Sequence, residues 1–284
     1  MNILYYIKYK KISHLIFNSG LLTLLNKLKK IHVILLTLIF FLSYEIFCKQ
    51  NHDTLMFFAP ASLKDSLSEI LKYYENHKYL EVKDVYLGTA QLAQQIKNGA
   101  QPDLFISANI EWMEHLEARG LVLKSYRFVL LGNSLVAVTS NKNLLIKKKE
   151  YFKDIKDTFL NTETRISLAM VEAVPAGIYA KEFFINIGIW DKIKSNIANS
   201  PNVRAALSFI SRGDLEYGVV YKSDALADKR VKIIYDLDPA LYTKVQYPMT
   251  ILNEKQTTID LYNFLREKKA QKIFKKWGFK THND

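Results

Sequence analysis

Chemistry needs side chains of the right type within reach of one another, and this chain offers few such sets. Its six histidines, His14, His32, His52, His77, His115 and His282, are scattered, and none stands at a metal-ligand spacing from another histidine or from Cys48, the only cysteine. A lone cysteine forms no intrachain disulfide, zinc cluster or redox pair. Asp103 is the most tempting catalytic carboxylate, yet no nucleophile or metal ligand is paired with it, so a structural hydrogen-bonding role is expected. What remains is a set of small or hydroxyl-bearing residues, Ser62, Thr89, Ala108, Ala176 and Val203, each where an apolar run gives way to a helical pattern. Such junctions suit anion binding. The first turn of a helix carries unpaired backbone N–H groups and the positive end of the dipole, so it can hold an oxyanion without a charged side chain. Taken singly, a serine or threonine before a helix is an ordinary cap.

The elements that must position these residues alternate between strand and helix. Residues 54–58 read as a buried strand; Ser62 then stands at an N-cap position, with Asp65 three residues later and Leu63, Leu67, Ile70 and Tyr74 at helical spacing. Residues 82–87 read as a strand, Gly88-Thr89 as a turn and 90–97 as a helix closed by Gly99. A strand at 104–107 leads to a helix that buries Trp112, Met113 and Leu116 and ends at Gly120. Strands are expected at 135–138 and 166–170, the second running into Val174-Pro175-Ala176-Gly177 and a helix through Tyr179, Phe183 and Phe184. Asn202-Val203 precedes a helix carrying Ala206, Leu207 and Ile210; 218–221 is a compact strand; Leu261, Phe264, Ile273 and Phe274 give the C-terminal region a helical apolar face. This alternation predicts an α/β fold with largely parallel sheets, whose ligands sit outside the carboxyl ends of strands.

The order of the junctions resembles the periplasmic molybdate-binding proteins of ABC transporters. The stretches that carry the resemblance are Phe58-Ala59-Pro60-Ala61-Ser62-Leu63, Leu92-Ala93-Gln94-Gln95-Ile96 and Gly99-Ala100-Gln101-Pro102-Asp103-Leu104-Phe105-Ile106-Ser107-Ala108. Gly132-Asn133-Ser134-Leu135-Val136, Val174-Pro175-Ala176-Gly177-Ile178-Tyr179-Ala180-Lys181 and Asn202-Val203-Arg204-Ala205-Ala206-Leu207 follow, then Gly218-Val219-Val220-Tyr221-Lys222-Ser223-Asp224-Ala225 and Tyr247-Pro248. Any one is weak; as an ordered set from 54 to 279 they are specific.

The resemblance implies a two-lobed periplasmic-binding-protein fold, each lobe a mainly parallel sheet flanked by helices, with hinge crossovers near 133–137 and 247–250. Lobe I would comprise 53–135 and 249–284, and lobe II 136–248. Molybdate or tungstate would lie between the lobes, bound by the Ser62 hydroxyl and N–H, by Thr89 at a position the family usually fills with serine, by the backbone N–H groups of Ala176 and Val203, and by the Tyr221 phenol. Ala108 would add a further backbone donor. These residues would hold the metal as its oxyanion, not as direct metal ligands. No catalysis and no cofactor are expected, and the partner would be a membrane permease, with the binding protein a monomer. Three departures bear on the site: Pro60 has no N–H to donate, Thr89 adds a methyl group, and Met170-Val171 stand where the family tends to have Asp-Pro. A membrane-tethered oxyanion sensor on the same fold, or a binding protein for sulfate or another tetrahedral oxyanion, is the alternative reading.

Composition fits an exported globular protein. Of the 284 residues, 49% are hydrophobic and 24% charged, ordinary for a folded domain. The net charge of +12 is unevenly placed: residues 1–52 hold seven lysines and one glutamate, which leaves +6 over the remaining 232 residues. The densest internal run, Lys147, Lys148 and Lys149, lacks interleaved aromatics and arginines, so no nucleic-acid partner is expected. Lys27, Lys29 and Lys30 precede an apolar run at 33–42, a signal-peptide pattern shorter than the ~20 residues of a bilayer-spanning helix. Cys48 lies where a lipidated cysteine would, but Glu45, Ile46 and Phe47 before it are not the small residues of a lipoprotein signal. Processing is expected to remove a segment ending between residues 43 and 50. Mass spectrometry of protein expressed in a bacterial host checks this, and an intact N-terminus in the membrane fraction would favour the tethered sensor.

Overall fold

Leu104, Phe105 and Ile106 are all fully buried, as are Leu135 to Val138 and Ile166 to Ala169, because each run is a sheet strand covered on both faces. The computed structural model of the chain describes residue 27 and residues 29–38, 54–78, 80–140, 154–162 and 165–281. Two compact units are distinguished, Met1–His52 and Asp53–Asp284. In the first, residues 29–38 are helical. No described helix is long and apolar enough to cross a membrane. Residues 39–42 of the apolar run, Cys48 and the lysine run at 147–149 lie outside the described residues.

Among the described residues of the second unit, eleven strands are found: β1 (Thr54–Pro60), β2 (Glu81–Leu87), β3 (Leu104–Ile106), β4 (Phe128–Gly132), β5 (Leu135–Ser140), β6 (Ile166–Ala169), β7 (Ile197–Ser200), β8 (Tyr217–Tyr221), β9 (Val231–Asp236), β10 (Gln246–Ile251) and β11 (Lys280–Thr281). Between them lie helices α1 (Lys64–Lys78), α2 (Thr89–Lys97), α3 (Ile110–Glu117), α4 (Ile155–Leu160), α5 (Pro175–Asn186), α6 (Trp190–Ile193), α7 (Val203–Arg212), α8 (Lys222–Ala227), α9 (Gln256–Arg266) and α10 (Lys268–Lys276). The strands form two sheets, ordered β11-β4-β10-β3-β1-β2 and β7-β6-β8-β5-β9. Alternation along β1 sorts the core of the first sheet: Leu55, Phe57 and Ala59 pack with Leu63, Leu67 and Ile70 on one face, while Phe58 joins Leu92, Ile96, Phe105, Met113 and Leu116 on the other.

Each sheet is mixed, where mainly parallel sheets were expected. β2, β1 and β3 are parallel, as are β7, β6 and β8, but β10 runs antiparallel to β3 and β4, and β5 antiparallel to β8 and β9. The cause is the route of the chain. A parallel neighbour needs a helical crossover, whereas β5 and β10 arrive directly from the other lobe. They start at the edge where the parallel strands end, so they must run the other way: Leu135 opens β5 opposite Tyr221, the last residue of β8.

The first crossing is the short Asn133-Ser134 link between β4 and β5, within the expected span. The second lies between Asp236 and Gln246, upstream of the expected 247–250, because Tyr247 and Pro248 already pair with Leu131 and Val129 of β4. Proline is tolerated in this inner strand because the register shifts between Tyr247 and Pro248, a bulge where no ladder donor is missed. Strands β4, β7, β9, β10 and β11 are additional to those read from the sequence.

One close approach fixes the second lobe's site-forming helix. A Cβ on Gly177 would stand 2.1 Å from the carbonyl oxygen of Ala169 and 2.7 Å from that of Met170, so α5 abuts the end of β6 only because residue 177 has no side chain. Gly177→Ala is expected to cost about 1–3 kcal/mol through overpacking. Urea unfolding should show a lower midpoint at unchanged slope.

Candidate functional site

In the first lobe the junctions follow β1, β2 and β3. Pro60 leads into a turn of 3-10 helix, Ala61–Leu63, before α1 begins. Ser62 is therefore not the side-chain N-cap expected: its Oγ lies 3.0 Å from the phenolic oxygen of Tyr247. Thr89 opens α2 behind Gly88, and its Oγ1 accepts the N–H of Ala108 at 3.0 Å. This corrects the expectation for Ala108, whose N–H is taken by Thr89 and is not a free donor. Both hydroxyl residues are almost completely buried.

In the second lobe Ala176 is the second residue of α5 and Val203 the first of α7, so both N–H groups belong to the first turns that helices leave unpaired. Asn202 caps α7 by accepting the Ala205 N–H at 2.9 Å, which leaves the Val203 N–H ahead of it. The loop before α5 turns on the Met170 carbonyl, which accepts from Ala173 and Val174, so Met170-Val171 form the turn without the family's Asp-Pro. Tyr221 ends β8 fully buried, and its hydroxyl has no hydrogen-bond partner among the described residues. Burial above all, then Tyr247, Tyr179 and Asp224, raise its pKa well above the ordinary value. The phenol therefore keeps its proton at neutral pH and remains a donor.

These six residues, read from junctions as distant as 62 and 221, line one narrow space together with Pro60, Ala61, Leu87, Gly88, Val174, Pro175 and Asn202. No charged side chain is among them. A wider groove beside the crossings, lined by Gly132, Asn133, Tyr242, Lys244, Gln246 and Lys280, shares none of the six.

The lobes meet around this space. A Cβ on Gly88 would lie 2.6 Å from the Pro201 carbonyl oxygen, and Trp112 Nε1 donates to the Ala173 carbonyl at 2.9 Å. Arg204, beside Val203, reaches Asp65 of α1 at 2.6 Å and also pairs with the buried Asp224. Burial opposes the Arg204 charge, but Asp224 and Asp65 outweigh it and hold the guanidinium above its ordinary pKa. Burial likewise pushes Asp224 up to about 6 against the pull of Arg204, which leaves it ionised at neutral pH. The arginine charge is thus matched by carboxylates and the space beside it stays neutral.

Asp103 has the structural role expected: its carboxylate accepts the Met56 N–H at 2.7 Å, the Asn253 amide at 2.7 Å and Lys255 at 3.0 Å. Sequence reasoning missed Asn133, whose amide donates to Tyr247 at 3.3 Å, and the cross-lobe set of Asp65, Arg204 and Asp224. Asp65 was readable only as a helix-start acid. Nothing local signals a partner well over a hundred residues away.

The sequence model of a family described as bacterial extracellular solute-binding protein matches residues 55–280. The molybdate-binding protein ModA of Escherichia coli (strain K12) is 35% identical over 226 residues, which cover 78% of this chain and 87% of that protein. Among solved structures, the periplasmic molybdate-binding protein of Azotobacter vinelandii superposes with a TM-score of 0.69 at 20% identity, covering 79% of this chain and 98% of that one. The sulfate-binding protein SubI of Mycobacterium tuberculosis H37Rv gives 0.67 at 15% identity, covering 82% and 88%. These two structural likenesses show the two-sheet fold alone.

Gly88 gives a test of how the lobes meet. Its φ of −64° is open to any residue, so the obstacle to a side chain is the opposite lobe. Gly88→Ala is expected to hold the lobes apart with little effect on the stability of each, and solution scattering should record a larger radius of gyration than for the unaltered protein.

Proposed function

The chain belongs to the family of bacterial extracellular solute-binding proteins, and on that footing we propose that it captures molybdate or tungstate between its lobes and delivers it to an ABC-transporter permease. It acts outside the cytoplasmic membrane as a monomer and catalyses no reaction. The observation that carries this reading is the lining of the space between the lobes: Ser62, Thr89, Ala176, Val203 and Tyr221 supply hydroxyl and backbone donors with no charged side chain. Donors alone suit a fully deprotonated tetrahedral dianion. They also explain how a buried charge is tolerated, since hydrogen bonds from fixed dipoles replace the lost water. The Tyr221 hydroxyl, buried and without a partner, is completed by an anionic oxygen.

A thermal-shift panel on the purified protein tests the substrate, because a ligand of the folded state raises apparent stability. Molybdate and tungstate should stabilise it, and equimolar sulfate and phosphate should not; equal or greater stabilisation by sulfate would overturn the assignment. Calorimetry then tests the neutral cage. Tyr221→Phe removes a hydrogen bond to a charged group, worth about 1.5–3 kcal/mol, so affinity should fall roughly tenfold or more. Lys222→Gln should matter far less, because Lys222 Nζ pairs with Asp236 at 2.8 Å. A larger loss from Lys222→Gln would mean that a charged side chain holds the anion.

A further inference from the structure

The excess positive charge of the second unit is concentrated in one stretch. Residues 53–284 carry a net +6, and residues 266–280 hold seven basic side chains and one acidic one, Glu267, which is again +6. The rest of the unit therefore balances to zero. Helix α10 sorts this charge onto one side. At about 100° per residue, Lys268, Lys269, Lys272, Lys275 and Lys276 fall within an arc of roughly 120°, while Ala270, Ile273 and Phe274 are buried. All five lysines are exposed, as is Lys280 just beyond the helix. Arg266 is turned away, over the rings of Phe128 and Tyr262. Neighbouring acids do not cancel the stripe. Glu69 of α1 accepts from Lys276 Nζ and from the Trp277 indole, each at 2.9 Å, and Lys269 Nζ lies 4.6 Å over the Tyr73 ring. Lys268, Lys272 and Lys280 have no ion-pair partner among the described residues. Where the stripe ends the surface turns apolar: Leu226 of α8 is 53% exposed and lies against Gly278, the residue after half-buried Trp277.

We propose that this lysine face of α10 docks the protein on an anionic lipid surface. The choice of residue favours lipid over protein. A lysine is a hydrated point charge that needs no matching geometry, whereas protein interfaces are enriched in arginine and aromatic anchors and depleted in lysine. Acidic headgroups present a continuous layer of negative charge that attracts clustered lysines. Trp277 and Leu226 give the edge of the patch an apolar foothold at headgroup depth. For a member of an extracellular solute-binding family, a bilayer is the large anionic surface within reach, and docking on it turns the search for a membrane partner into a two-dimensional one. None of these lysines lines the space between the lobes. The proposal therefore goes beyond the anion reading and is tested apart from it.

The test is lysine footprinting on the full-length protein, in which an amine-acetylating reagent and mass spectrometry read each lysine separately and so distinguish this face from any attachment through residues 1–52. Vesicles of phosphatidylcholine containing phosphatidylglycerol should protect Lys268, Lys272 and Lys280, and pure phosphatidylcholine should not. Salt at 1 M, where the Debye length is about 3 Å, should abolish the protection. Lys192 and Lys232, exposed on the other lobe, should label at the same rate throughout. In the double variant Lys268→Gln, Lys272→Gln, protection of Lys280 should require about fivefold more anionic vesicle for each lysine removed. No protection, protection on neutral vesicles, equal protection of Lys192 and Lys232, or an unchanged requirement in the variant would overturn the proposal. Equal protection by soluble polyglutamate at the same charge concentration would overturn the lipid assignment and make the face a site for an acidic protein.

Discussion

A buried hydrogen-bond donor without an acceptor is costly, by about 1–3 kcal/mol for a neutral group, and the space between the two sheets concentrates such donors. The N–H groups at the starts of α5 and α7 and the phenol of Tyr221 face it from one lobe, and the hydroxyls of Ser62 and Thr89 face it from the other. Most of the architecture follows from bringing these ends together. Parallel strands place their carboxyl ends and the following helix starts along one edge, and two such edges confront each other only if the chain passes between the lobes at that edge. Strands β5 and β10 therefore enter against the parallel direction.

Neutrality is the second requirement, and it is met by cancellation. Arg204 stands next to Val203, which lines that space, and an unmatched guanidinium there would make it strongly positive. Asp224 within its own lobe and Asp65 across the cleft absorb that charge. The same contact joins the lobes, so one arginine both keeps the cage neutral and contributes to its closing. An ion pair of this kind, a quarter exposed at the arginine, fixes orientation more than it adds stability.

The parts of this arrangement that are local in sequence were legible in it. Ser62, Thr89, Ala176, Val203 and Tyr221 lie at strand ends or helix starts, where short-range pattern and an ordered set of motifs identify them, and the structure brings all five to one cavity. Ala108 was placed correctly but given the wrong partner, because its contact with Thr89 joins two different junctions. The parallel trio β2, β1 and β3, and β6 and β8 of the other, were readable from the strand and helix alternation; β7 and the antiparallel direction of β5 and β10 were not, the latter because it depends on where the chain changes lobe. Asn133, Tyr247 and Asp65 act through contacts spanning 114 to 185 residues of sequence or from one lobe to the other, and no periodicity or cap signal reaches that far.

The order of strands in the first sheet has a consequence for how the molecule comes into being. All five strands of the second sheet lie between Leu135 and Asp236, in one unbroken segment that can pair within itself as soon as it is available. The first sheet cannot do so: β10, wedged between β3 and β4, arrives only after that whole segment, and β11 after it again. A chain emerging from its N-terminus thus carries β1 to β4 as an unfinished sheet, with two exposed edges awaiting β10, while the later-made lobe completes itself first. Closing the earlier lobe over so long a separation is the slow kind of pairing, and the unfilled edges of β3 and β4 are where a holding chaperone would have most to shield.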